Sequence, residues 1–310
     1  AVDERAIISI AGSGAFSGKT GIGFAISFNE ITSSTKAIVE NVNFDYKGLT
    51  VEAKTNNEIV SVTGSLGAST KVGGAGIGGT FGLNFLGNST EARVSNAVSS
   101  NASTGEVSIT ATDGSNVFAF GGGFAGGKGA GVGLAFTLNV MTNAAVAKLD
   151  KKSQLYSVGD LAVESSITGF VTNVAVGGSA AKTTAVSGSV GVNQLSNVVT
   201  ATIDDSTVTA ATLAADWSDQ STYSSTDQVV YNNTLWSAKQ NVPVNEVPAE
   251  SSDYWESEDV ARSGSVGVKA TDSQTVTNVV GGVAFSAKGA VGAGIGLNFQ
   301  DTTVSAIVDK

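Results

Sequence analysis

The sequence predicts an all-β chain: a β-solenoid (β-helix) of about five 55-residue repeats with one small inserted β module. Three observations predict it. A glycine-rich apolar run ending in Asn recurs at a fixed spacing. Between the copies, β-branched residues alternate with small or polar ones at a period of two, which is the strand period. Residues 211–262 contain no Gly although the chain has 39, so that window follows a different composition from its surroundings.

The recurring run reads Gly21-Ile-Gly-Phe-Ala-Ile-Ser-Phe-Asn29, Gly78-Gly-Thr-Phe-Gly-Leu-Asn84 and Gly131-Val-Gly-Leu-Ala-Phe-Thr-Leu-Asn139. Gly188-Ser-Val-Gly-Val-Asn193 and Gly292-Ala-Gly-Ile-Gly-Leu-Asn298 complete it. The Asn positions 29, 84, 139, 193 and 298 are 55, 55, 54 and 105 apart. Removing an insert of about 50 residues restores the period in the last gap. A second feature keeps step, since Thr110-Ala-Thr-Asp113 returns as Lys269-Ala-Thr-Asp272.

Each repeat reads as short strands, such as Val107-Ser-Ile-Thr-Ala111 and Thr200-Ala-Thr-Ile203, set off by corners such as Thr112-Asp113-Gly114 and Asp204-Asp205-Ser206. Strands without helical connections, repeated in register, suit coils that stack on one another. A period of this length suggests about two coils per repeat, and rungs about 4.8 Å apart then predict a rod on the order of 50 Å. Inward positions rich in Ala, Gly and Val predict a thin core. Asn29, Asn84, Asn139, Asn193 and Asn298 are expected at equivalent corners, where Asn tolerates left-handed backbone and bonds to its copy one repeat away. The alternative architecture is a long antiparallel hairpin of the Gly-rich arms flanking Lys288-Gly289.

Composition excludes several functions. A net charge of −10 argues against a nucleic-acid partner. No Cys and no His means no disulfide framework, no thiolate chemistry, no His-based triad and no imidazole-ligated zinc. No run of 18 apolar residues suggests a transmembrane segment, and Ala1-Val2-Asp3-Glu4-Arg5 lacks a signal-peptide pattern. The abrupt ends suggest a piece of a longer chain, with further solenoid repeats as its neighbours.

Two motifs imitate chemistry. Gly12 to Thr20 and Gly122 to Gly129 resemble phosphate-binding loops, but Ser13 and Gly129 stand where Gly and Ser or Thr are needed. Lys19, Lys71, Lys128, Lys182 and Lys288 each precede the Asn by 10 to 13 residues, so one lysine per repeat marks a solvated turn that discourages edge pairing. Asp204 and Asp205 fall short of the oxygen count calcium takes. A flat ice-binding face would repeat the Thr200/Thr202 pair on every coil, and the sequence does not. The sequence accordingly predicts no catalytic residue, no metal site and no cofactor. The enzyme alternative, a polysaccharide-active β-helix, calls for clustered carboxylates in a groove.

The domain reading is therefore a discontinuous solenoid, 1–210 and 263–310, around a module at 211–262. That window holds all three Trp, both Pro, nine of the 27 acids and two of the 17 bases, which is −7 of the net −10. A shift that sharp marks a separate unit.

The unit from Val171 to Ala210, with its Gly-rich turn, Gly191-Val-Asn193 and Thr200-Ala-Thr-Ile-Asp-Asp-Ser-Thr-Val-Thr-Ala210, resembles the repeats of large bacterial secreted adhesins of the leukotoxin-like and filamentous-haemagglutinin-like kind. The resemblance covers nearly all of the chain outside the insert. It implies an extracellular or cell-surface location, type V secretion and a stalk or fibre that projects a tip. The insert resembles a chitin-binding-type carbohydrate-binding module of families 5 and 12, through Trp217, Tyr223, Asp227-Gln-Val-Val-Tyr231-Asn232, Leu235-Trp-Ser-Ala-Lys239, Pro248 and Tyr254-Trp-Glu256. That resemblance implies a glycan or cell-surface polysaccharide partner and assigns Trp217, Tyr223 and Trp255 to a small aromatic core. Turn glycines of the family are missing near Thr226 and Asn233, and Val244-Asn245-Glu246 replaces its exposed Trp. Trp236 or Tyr254 is then expected to supply the sugar-stacking face, with Asn232, Glu246 and Asp253 as hydroxyl partners. Trp236 packing inward is the other reading.

Overall fold

A computed structural model describes residues 1–99, 105–211, 215–232, 234–257 and 264–309, and every regular element among them is a strand. In chain order the first are β1 (Val2–Asp3), β2 (Ala6–Ser17), β3 (Thr20–Asn43), β4 (Leu49–Thr55), β5 (Glu58–Ser69), β6 (Ala75–Val98), β7 (Val107–Asp113), β8 (Asn116–Gly127) and β9 (Ala130–Asp150). Then come β10 (Gln154–Val158), β11 (Leu161–Ala181), β12 (Thr184–Ile203) and β13 (Thr207–Ala211). The insert supplies β14 (Ala215–Asp216), β15 (Gln228–Tyr231), β16 (Thr234–Ala238) and β17 (Trp255–Ser257), and the chain closes with β18 (Val266–Ser286) and β19 (Gly289–Val308).

The chain is all-β and β-helix-like, built on two curled parallel sheets. In the first, β1 and β2 form one row, β4 and β5 the next, then β7 and β8, then β11, then β18. In the second the rows are β3, β6, β9, β12 and β19. Asn29, Asn84, Asn139, Asn193 and Asn298 stand directly beside one another in that order, so the repeat found in the sequence is the pairing register.

Two expectations are corrected. Partners such as Asn29 and Asn84 are 55 residues apart, so one period makes one pass through each sheet and not two coils. Five rows at about 4.8 Å give a stack of roughly 24 Å, about half the expected rod. The arms around Lys288-Gly289 are not a hairpin pair. β18 joins the first sheet and β19 the second, each in parallel.

The Asn residues are also not at corners. They lie inside long strands and point inward, with Asn29, Asn84, Asn139 and Asn193 at most 5% exposed. Left-handed backbone falls instead at Asn41, Asn96, Lys151 and Asp205, each within two residues of the end of its long strand, with φ between +43° and +58° and the same spacing. Asn96 Nδ2 donates to Asn41 Oδ1 there at 2.7 Å.

The interior changes character along each row. Near the corners it is conventionally apolar, with Val94, Ile109, Leu149, Leu161 and Val163 fully buried. Toward the lysine turns it is thin. A Cβ on Gly67 would run into the Ile77 carbonyl, and one on Gly123 into the Leu134 carbonyl, so backbone of one sheet rests on backbone of the other. Ser27 Oγ reaches Ser61 and Thr63 across the gap at 2.9 Å each. Lys19, Lys71, Lys128, Lys182 and Lys288 are exposed in the turns between the sheets, and no helix follows any of them to complete a phosphate-binding loop.

β13 pairs with β10 so that Ala211 sits beside Val158, and β18 pairs with β11 so that Val266 sits beside Leu161. The insert therefore occupies the place that Gly159-Asp160 holds in the row before. The Gly264 N–H donates to the Ala210 carbonyl at 3.3 Å, so the two ends of the insertion meet. Of its two predicted boundaries, 210/211 falls inside β13, one residue before the strand ends, and 262/263 lies outside the described residues.

Candidate carbohydrate-binding site

The insert folds as a four-stranded sheet of its own. β14 runs parallel to β15, and β15, β16 and β17 form an antiparallel meander. So short a segment has little aliphatic surface to bury, and aromatics take its place. Val229, Trp236, Ala238, Val242 and Trp255 are buried, and Trp217, Tyr223, Tyr231 and Tyr254 pack against them. Trp217 meets Tyr231 edge-on at 5.2 Å, and Tyr223 meets Trp255 edge-on at 5.4 Å.

The polar ends of these rings lock the loops. The indoles of Trp217 and Trp255 both donate to the carbonyl oxygen of Glu246, at 3.2 and 3.0 Å. The Tyr223 hydroxyl accepts from the Ser218 N–H at 2.6 Å and donates to the Ser218 carbonyl at 3.2 Å. Trp217, Tyr223 and Trp255 thus pack the module and tie its loops. Thr226 takes φ +84°, a conformation that suits glycine and strains a β-branched residue. Asn233, the other position where a turn glycine was missed, lies outside the described residues.

Five residues were expected to meet a sugar. Trp236 does not present a face: it is 7% exposed and its indole donates to the Tyr231 carbonyl at 3.3 Å. It faces the module core because its partner across the hairpin is the buried Val229 and strand alternation puts both on one side. Asn232 is exposed with φ +47° in the turn joining β15 to β16. Tyr254 lies at the far end of β16, where its carbonyl accepts from the Lys239 N–H at 2.8 Å.

The structure brings three of the five together. Ser252 donates to the Glu246 carboxylate at 3.2 Å and accepts from the Tyr254 N–H at 3.1 Å, with Asp253 between them in sequence. Lys239 Nζ donates to the Ser252 carbonyl at 2.9 Å, and Gln240 Nε2 to the Asp253 carbonyl at 3.4 Å. The resulting surface has one half-exposed tyrosine ring, an exposed Asp253 carboxylate and amide and ammonium donors around it. Lys239 and Gln240 were missed in the sequence. Their position directly after β16, opposite the closing Tyr-Trp, was the signal available.

Compared with protein-family models, curated proteins and solved structures, the chain gives no significant match.

Proposed function

We propose that this chain is a five-coil stretch of β-solenoid, serving as the stalk or fibre of an extracellular bacterial adhesin and displaying a small glycan-binding module. The observation that carries the reading is the way the insert is mounted. It leaves and re-enters at one corner, where Gly264 bonds to Ala210, and the rows on either side remain in register. Such mounting lets a stack present a module without breaking its own ladder. The cluster of Tyr254, Asp253, Lys239 and Gln240 is the surface proposed to meet the sugar. A tyrosine offers a flat ring for stacking, and its neighbours offer donors and acceptors for hydroxyls.

The test is depletion of the protein from solution by chitin and other insoluble glycans. The parent should deplete, while Tyr254→Ala and a chain lacking residues 212–263 should not. Equal depletion of all three would refute the site. A second reading, a purely structural filament subunit with the insert as spacer, is favoured by the burial of Trp236, which removes the larger of the two ring faces expected. Failure of every glycan to deplete the parent would support it.

A further inference from the structure

Alternation across a two-sheet protein normally sends large apolar side chains inward and polar ones outward. Between the lysine turns and the Asn ladder this order is reversed. The inward side chains of β3 there are Gly21, Gly23, Ala25 and Ser27, whereas the outward ones are Ile22, Phe24, Ile26 and Phe28, each 51% to 59% exposed. The register extends the reversal over all rows of the second sheet. Ile26, Phe81, Phe136, Val190 and Ile295 form one outward column. Phe24, Gly79, Leu134, Gly188 and Ala293 form the next. Neither column contains a charge.

The uncharged band is seven residues wide in every row, from Ile77 to Leu83 in β6, because the next outward column holds Glu30 and Gln194 beside Phe85. At about 3.3 Å per residue and 4.8 Å per row, that face measures roughly 550 Å². That is at the upper end of the roughly 300–600 Å² that the largest apolar patch on a monomer reaches, and it is smaller than the about 800 Å² that a standard interface takes from each partner. The face is also uneven. A groove of about 280 Å³ runs over Gly188 between Phe81, Leu134, Phe136, Val190 and Ile295.

We infer that a second copy of this chain covers this face, the outer surface of one second sheet packed on that of the other. Along the column of Phe24, Gly79, Leu134 and Gly188 the alternation of large and missing side chains is self-complementary. With the row order of one copy reversed and shifted by one row, Phe24 stands over Gly188 and Leu134 over Gly79. Two-fold symmetry then makes each pairing twice. The inference does not depend on the adhesin reading.

Sedimentation equilibrium on the full chain, up to about 100 µM, tests it. The parent should be dimeric. Leu134→Glu and Gly188→Glu should each weaken dimerisation by roughly 30-fold or more, as loss of a central contact does, with unchanged far-UV circular dichroism. A Cβ on Gly188 would meet only the flexible end of Leu134, at 3.3 Å, so that variant is expected to fold even where Leu134→Glu does not. Phe124→Glu, on the outer face of the first sheet, should leave the dimer intact. A monomeric parent overturns the inference, as does a dimer indifferent to both second-sheet variants or dissociated by Phe124→Glu. So does a parent that stays monomeric and floats with phosphatidylcholine–phosphatidylglycerol vesicles, which would assign the face to lipid.

Discussion

Cutting the buried Asn ladder in the middle should cost far more than cutting it at the end. Asn29 Nδ2 donates to Asn84 Oδ1, Asn84 to Asn139 and Asn139 to Asn193, each at 2.8 Å, and Asn193 donates to Asn298 at 2.9 Å. Asn139→Ala removes two of these bonds and strands the Nδ2 of Asn84 and the Oδ1 of Asn193, both in fully buried residues. At about 1–3 kcal/mol for each buried group left unpaired, the loss is about 2–6 kcal/mol. Asn298→Ala also removes two bonds, from Asn193 and Asn278. Asn298 is exposed, so water replaces it, and Asn278 keeps the carbonyls of Gly191 and Leu297. That variant should lose less than about 1 kcal/mol. Urea unfolding followed by far-UV circular dichroism reads the parallel sheets, whereas tryptophan fluorescence reads only the insert, since Trp217, Trp236 and Trp255 all lie there. Equal costs for the two variants, or a cost under about 0.5 kcal/mol for Asn139→Ala, would refute the reasoning.

Asn143→Leu should stabilise the chain by about 1 kcal/mol, because both amide atoms of Asn143 are buried without a partner; a lower urea midpoint would count against it. Burial raises the Asp113 pKa from its ordinary value despite hydrogen bonds from Ser115 and Asn88. Its folded form therefore favours the neutral acid, its contribution is fully present below the ordinary carboxylate range, and it is lost as pH rises through the raised value. Melts from acid to neutral pH should show that loss in the parent and not in Asp113→Asn, and an identical slope in both would sink the assignment. Asp150 behaves oppositely: burial alone would raise its pKa, but hydrogen bonds from Ser95, Arg93 and Lys148 and the Arg93 charge hold it lower. Trp236→Ala should cost the insert roughly 3–5 kcal/mol and abolish its fluorescence-detected transition, while Tyr254→Ala should leave that transition near the parent's; the reverse order would mean that the ring assignments are exchanged. Deleting 212–263 leaves Gly264-Ser265 in the place of Gly159-Asp160 and should preserve cooperative unfolding by circular dichroism, which loss of the transition would contradict.

The period, the Asn column and the lysine turns were legible in the sequence for one reason. Each is a feature that repeats along the chain, and a parallel register transfers such spacing directly into space. The aromatic core of the insert was legible because so few other residues there can be buried. Other features depended on which residues meet across the structure. The sequence alone determined that row follows row every 54 or 55 residues, but not that each period makes a single pass, because that depends on which strand pairs with which. It determined that Trp236 is aromatic, while the face it turns inward was decided by its hairpin partner. The orphaned amide of Asn143 shows the distinction most clearly. Asn88, Asn143 and Asn197 share one column, and Asp113, Ile167 and Asp272 share another. Asn88 reaches Asp113 and Asn197 reaches Asp272, both at 3.0 Å, while the row between offers Ile167 and no acceptor. The residue types are written in the chain, but only the facing of two sheets decides which polar groups find partners, and that facing joins positions separated by 25 to 75 residues.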